Sequence, residues 1–202
     1  YEAWQLSAVT EEADRQVFFS KVFRIYASVM FCGVAGIIML CQPMMRIFKA
    51  SYFEAWTFVP FLTLCSMCTC LNQFLNSIYV VYKRSTGSLV TMLCGAVVNL
   101  ILNYLFIQWF GPWGVTPASF ISLMLVFILR AYSTRGLLDM DFHPAWLLLN
   151  LALVLGEIWF MFNVEHWVLP VIVITAAVCA LNLREIFSML EKLLGRFIKK
   201  KA

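Results

Sequence analysis

Charged residues are scarce in this sequence, and their scarcity indicates the class of protein. They make up 13% of the 202 residues, while hydrophobic residues make up 62%. A soluble domain is about 25% charged and about 45–50% apolar. Because so few polar side chains cannot cover a water-facing surface, the excess apolar surface needs lipid. The sequence therefore predicts an integral membrane protein whose partner is the lipid bilayer, and no nucleic-acid partner is expected.

The motifs of common soluble enzymes are also missing. The sequence has no Gly-rich phosphate loop, no HExxH zinc motif and no GxSxG nucleophile elbow. Its two histidines, His143 and His166, have no serine or cysteine partner nearby in the sequence. We expect that the protein is not an enzyme and has no catalytic residue and no cofactor. A membrane enzyme that uses residues distant in sequence stays open.

No disulfide framework or metal site is expected from the cysteines. Their number is odd, which argues against a disulfide framework. Cys65, Cys68 and Cys70 have no histidine or second cysteine pair placed to complete a metal site. All seven lie inside apolar runs, which is typical of buried free thiols: Cys32, Cys41, Cys65, Cys68, Cys70, Cys94 and Cys179.

Long stretches without charge mark the membrane spans. The stretch 85–129 would be about 67 Å long as one helix at about 1.5 Å per residue, more than twice the ~30 Å hydrocarbon core. It must fold back, and the Gly-Pro-Trp-Gly segment 111–114 is the predicted turn. We expect an all-α transmembrane bundle over residues 1–182, with spans at about 22–48, 55–82, 87–110, 115–132, 144–162 and 167–182.

The lysines and arginines predict the orientation of these spans. The segments that six spans place on one side hold 13 of the 15 basic residues, and only Arg46 and Lys49 fall on the other side. Such an asymmetry indicates a cytoplasmic location for the basic side, including both termini. Four tryptophans fall at the predicted outer ends, as in an aromatic belt: Trp56, Trp109, Trp113 and Trp167.

Residues 183–202 differ from the spans before them. Apolar residues recur there at helical spacing, and basic residues take the opposite face. This pattern predicts an amphipathic basic helix that lies on the inner leaflet.

Uncharged polar residues inside the spans are the candidates for a substrate path. Asn72 and Asn76 are four residues apart, as are Asn99 and Asn103, so each pair shares one helix face. Two such faces could line a hydrated cavity. Asparagine can equally hold one helix to another by hydrogen bonds, and both interpretations stay open.

Glu157 is the ionisable residue predicted to lie well inside a span. An acid at such a depth is a candidate for proton or cation coupling. It is also close enough to Phe162, at the predicted outer end, to reach the interface with its side chain.

Several short motifs resemble the C-terminal part of the bacterial polysaccharide flippases, within the multidrug/oligosaccharidyl-lipid/polysaccharide exporter superfamily. The motifs are Gly95-Ala96, residues 99–106 (NLILNYLF), Phe110-Gly111 and residues 114–119 (GVTPAS). Lys83-Arg84 and the FFSK stretch 18–21 fit the same pattern.

The resemblance implies transport of a polyprenyl-pyrophosphate-linked oligosaccharide across the bacterial cytoplasmic membrane, by alternating access between two lobes. The chain would then be a C-terminal fragment, and its partners would be the lipid-linked oligosaccharide and a missing N-terminal lobe of the same protein. The first residue, Tyr1, is not Met, which is expected of a fragment or of a processed chain. A drug/cation antiporter of the same superfamily and a membrane-embedded transferase, for which Asp139, Asp141 and His143 are candidates, remain the alternatives.

Overall fold

The computed structural model describes residues 12–47, 50–164 and 166–199. Within these residues the chain is helical and has no strand, so the predicted all-α class is confirmed. It forms six α-helices: α1 Glu12–Met45, α2 Val59–Val81, α3 Ser85–Phe110, α4 Val115–Arg135, α5 Pro144–Asn163 and α6 Val168–Lys199. Two short 3-10 helices, Ala50–Thr57 and Gly111–Gly114, precede α2 and α4.

Five stretches of the described chain are long and apolar enough to cross a membrane, which makes it compatible with a multi-pass membrane protein. They are Arg15–Met45, Ala55–Val81, Ser85–Arg135, Pro144–Asn163 and Val168–Phe187. The third stretch has 51 residues and contains both α3 and α4. The helix ends lie within a few residues of the predicted ones, apart from the longer α1 and α6.

The predicted turn between α3 and α4 is present, and two glycines explain its shape. Gly111 has a φ of 65°, a left-handed conformation that glycine adopts without steric cost. A Cβ at Gly114 would lie only 2.5 Å from the carbonyl oxygen of Phe106. The chain can therefore reverse within four residues.

The chain divides into two compact units. Unit 1 comprises residues 1–20 and 48–141, and unit 2 comprises residues 21–47 and 142–202. Unit 1 thus contains α2, α3 and α4 with the first turns of α1, and unit 2 contains the rest of α1 with α5 and α6.

In unit 1, α2 and α4 run parallel and α3 runs opposite to both. Cys65 of α2 lies against Thr116 of α4, and Asn72 of α2 lies against Leu123 of α4. Residue numbers therefore increase in the same direction along the two helices. In contrast, Thr91 of α3 contacts Arg130, while Asn99 lies further along α3 and contacts α4 nearer its start. The C-terminal ends of α2 and α4 therefore share one end of unit 1, which agrees with the predicted common side of the basic residues at 83–84 and at the end of α4.

In unit 2, α1 and α5 run parallel and α6 runs opposite to them. Arg24 lies in the first turn of the part of α1 that belongs to unit 2, and His143 directly precedes α5. Arg24 Nη1 lies 3.5 Å from His143 Nε2, and Arg24 Nε lies 3.1 Å from Glu185 Oε1 of α6. At the other end of α1, the Cys41 thiol contacts the sulfur of Met161 in α5. The start of this part of α1 and the late turns of α6 therefore share one end of unit 2.

The predicted basic tail begins without any break in the helix. α6 is continuous from Val168 to Lys199, a length of about 48 Å at ~1.5 Å per residue. The amphipathic helix predicted after residue 182 is thus a continuation of the last apolar helix, up to residue 199. Three of the basic residues on which the predicted orientation rests lie outside the described residues: Lys49, Lys200 and Lys201.

Candidate functional site

A buried arginine connects the three long helices of unit 1. Arg130 of α4 has 6% of its surface exposed. Its Nη1 donates a 2.7 Å hydrogen bond to the backbone carbonyl of Asn72 in α2, and its Nε donates a 3.2 Å bond to Thr91 Oγ1 in α3. Its Nη2 lies 3.5 Å from Ser88 Oγ. Because hydrogen bonds from a charged donor are stronger than neutral ones, Arg130 stabilises this end of unit 1.

Two of the predicted substrate-path residues belong to the same cluster. The hydroxyl of Ser88 donates a hydrogen bond to Asn76 Oδ1, which joins α3 to α2. Asn72 Nδ2 donates a 3.0 Å bond to the carbonyl oxygen of Leu123 in α4. Asn72 and Asn76 are therefore both engaged in contacts between helices.

The other predicted pair also turns toward α4. Asn99 Nδ2 donates a 2.8 Å hydrogen bond to Ser122 Oγ and lies 3.4 Å from Ser119 Oγ. Asn103 Nδ2 donates a 2.9 Å bond to Asn99 Oδ1. This arrangement fits the alternative in which asparagine holds helices together. A role of the four asparagines on a substrate path stays a prediction.

Unit 2 has its own polar cluster around Glu157 of α5. The side chain is fully buried, and its Oε1 accepts a 2.9 Å hydrogen bond from the hydroxyl of Thr175 in α6. Among the described residues, its Oε2 has no hydrogen-bond partner. Glu157 thus points into the unit instead of reaching toward Phe162. A role of Glu157 in proton or cation coupling stays a prediction. A buried carboxyl group with one hydrogen bond is compatible with that role.

A second polar contact repeats this pattern about 10 Å away, two helical turns along the same helices. Asn182 Nδ2 of α6 donates a 2.7 Å hydrogen bond to Asn150 Oδ1 of α5, and both side chains are fully buried. Val154 and Val178, also fully buried, lie between the two contacts in sequence. The α5–α6 interface therefore contains buried apolar residues between two polar contacts that lie about two helical turns apart.

The sequence analysis does not identify Arg130 as part of a site, because Arg130 directly follows an apolar stretch and resembles the other basic residues that flank the spans. A signal was available in the pattern of α4. Ser122, Val126, Arg130 and Thr134 recur every four residues, so they share one face. All four are buried in the structure. Extending that face through the end of the apolar stretch would have placed Arg130 inside unit 1.

The residues proposed for the transferase alternative are exposed. Asp139 and Asp141 lie in the segment after α4, where the backbone N–H of Asp141 donates a 3.2 Å bond to Ser20 Oγ. His143 precedes α5 and has a φ of 45°. The seven cysteines are free, and the described residues contain no group of three metal-ligating side chains.

Comparison with family models, curated proteins and solved structures gives no match for this chain. The architecture therefore indicates the class of protein by itself: an all-helical chain compatible with a multi-pass membrane protein.

Proposed function

We propose that this chain is the C-terminal part of a transporter that moves a polyprenyl-pyrophosphate-linked oligosaccharide across the bacterial cytoplasmic membrane. The supporting observation is that several residues on which the flippase resemblance rests lie in the contact between α3 and α4. Gly95 faces Val126 so closely that a Cβ would overlap its Cγ2, and Asn99 reaches Ser119 and Ser122. The shared motif thus corresponds to one helical hairpin with a specific packing.

The proposed topology has six crossings, with the chain ends and the loops 83–84 and 136–143 in the cytoplasm. The helix directions within each unit support it. In unit 1 the C-terminal ends of α2 and α4 lie together. Lys83 and Arg84 follow α2, and Arg135 is the last residue of α4. Because cytoplasmic loops are rich in Lys and Arg, this end faces the cytoplasm. Two lobes that rock about a polar path would then move the head group by alternating access.

Reconstituted vesicles test the proposed transport. The complete gene product that contains this chain is placed in vesicles with a fluorescent polyprenyl-pyrophosphate oligosaccharide, and a membrane-impermeant quencher reports translocation. We expect translocation well above that of protein-free vesicles, and a severalfold loss in N99A but not in the control N163A. Among the described residues, the side chain of Asn163 bonds only to Trp159 of its own helix. Translocation no faster than in protein-free vesicles would refute the proposal.

One observation favours the antiporter alternative as a second candidate. The buried carboxyl of Glu157 is the kind of group that cation and proton coupling uses. In the same vesicles under a pH gradient, a fluorescent cationic drug would move in the wild type and would not move in E157Q. Drug movement without oligosaccharide movement would select the antiporter.

The membrane-embedded transferase has a separate test. Replacing Asp139, Asp141 and His143 by alanine leaves translocation unchanged if the protein is a transporter. Loss of function in these variants, with neighbouring loop variants intact, would favour the transferase.

A further inference from the structure

An apolar groove with one arginine lies at one end of unit 2, between α1 and α6. Its volume is about 520 Å³, within the ~300–1,000 Å³ typical of small-ligand sites. Most of its wall is aliphatic or aromatic, and its lining residues are Met39, Leu40, Pro43, Arg46, Trp167, Val168 and Ile172. An alkyl chain would find apolar contacts along most of this wall.

Arg46 gives the groove a cationic rim. It follows the last turn of α1, where its backbone N–H donates a 3.2 Å bond to the carbonyl of Gln42. Its side chain is exposed and has no hydrogen bond or ion pair with the described residues. The guanidinium is therefore available to a ligand, and its planar donors suit a phosphate.

The depth of Arg46 matches that of a lipid head group. Arg24, the preceding basic residue of the chain, lies within α1, 22 residues before Arg46, or about 33 Å along the helix at ~1.5 Å per residue. That distance is close to the ~30 Å hydrocarbon thickness. Trp167, on the groove wall, is of the residue type enriched at the head-group level. The groove thus runs from the head-group region into the apolar layer.

Proline adds a polar acceptor beside the groove. Pro43 lies inside α1 and has no amide hydrogen, so the carbonyl oxygen of Met39, four residues earlier, lacks its helical donor. Both residues line the groove. A hydroxyl group of a ligand could supply the missing hydrogen bond.

We propose that this groove binds one anionic phospholipid with a hydroxyl-bearing head group, such as phosphatidylglycerol. The phosphate pairs with Arg46, and an acyl chain packs against Leu40, Val168 and Ile172. The one cation matches the net negative charge of such a lipid, and the apolar wall matches a hydrocarbon chain. This site is independent of the transported substrate.

Lipid retention measured by native mass spectrometry tests the site. The protein is released from nanodiscs that contain equal amounts of phosphatidylglycerol and phosphatidylethanolamine. We expect R46Q to lower phosphatidylglycerol retention at least fivefold and to leave phosphatidylethanolamine retention unchanged. I172W, which fills the groove, should lower phosphatidylglycerol retention as well. The matched control is R135Q, because Arg135 is an exposed arginine of unit 1.

Three results would overturn the proposal. The first is unchanged phosphatidylglycerol retention in R46Q. The second is an equal loss in R46Q and R135Q, which would indicate attraction by overall charge. The third is complete displacement by an equimolar polyprenyl phosphate, which would make the groove a substrate site. Circular dichroism of each variant separates loss of binding from loss of fold, and failure of the transport assay alone would leave this site intact.

Discussion

The Nη1 atom of Arg130 donates a 2.7 Å hydrogen bond to the backbone carbonyl oxygen of Asn72, across the contact between α4 and α2. A charged side chain thus bonds the main chain of a neighbouring helix inside an apolar bundle. Its Nε also bonds Thr91 of α3. Arg130 therefore stabilises unit 1 by connecting three helices at one end.

Replacing this arginine should weaken unit 1. R130Q removes charged hydrogen bonds that are each worth about 1.5–3 kcal/mol, so we expect thermal unfolding in detergent several degrees below that of the wild type. R130K keeps the charge and should fall between them. R135Q, which changes an exposed arginine of the same helix, is the control. Equal melting temperatures for R130Q and R135Q would contradict the role assigned to Arg130.

Gly95 should tolerate no side chain while Val126 faces it. A Cβ at residue 95 would overlap Val126 Cγ2, and overpacking of this kind typically costs about 1–3 kcal/mol. We expect G95A to lower the melting temperature, and V126A to restore part of the loss in the double variant. G36A is the control, since a Cβ there meets nothing within 4 Å. Absence of rescue by V126A would argue against the close α3–α4 packing.

The contact between Asn150 and Asn182 should show a measurable coupling energy. Hydrogen bonds between membrane helices are worth about 0.6 kcal/mol on average and up to about 1.7 kcal/mol. We expect a double-mutant cycle of N150A, N182A and the double variant, measured by unfolding in mixed micelles, to give a coupling in this range. Strictly additive effects would mean that the two side chains do not interact.

The pair Glu157–Thr175 should be more sensitive to the loss of one partner than to the loss of both. T175V leaves both carboxyl oxygens of Glu157 buried without a hydrogen bond, which typically costs about 1–3 kcal/mol or more. Replacing both residues, in E157L/T175V, removes the buried polar groups and should recover much of that stability. Thermal unfolding of the single and double variants checks this, and a double variant less stable than T175V would contradict it.

The helices could be predicted closely from the sequence, because charge-free runs and the breaks at 111–114 and 163–166 mark where each begins and ends. The predicted spans are shorter than α1 and α6, since the ends of an apolar run do not stop a helix whose flanking residues are good helix formers. The helical tail after residue 182 is predicted, but its continuation of α6 without a break is not. The sequence does not show which neighbouring helix the side chains of Asn72, Asn99 and Glu157 contact. Those contacts depend on how the helices pack against one another.

In the proposed topology, α2, α3 and α4 each cross the membrane. Single cysteines at Arg84, Trp113 and Gly136, in a variant without the native cysteines, test it most directly through labelling with a membrane-impermeant maleimide. We expect residue 113 to be labelled in intact cells, and residues 84 and 136 to be labelled only after the membrane is permeabilised. Labelling of residues 84 and 113 from the same side would contradict it.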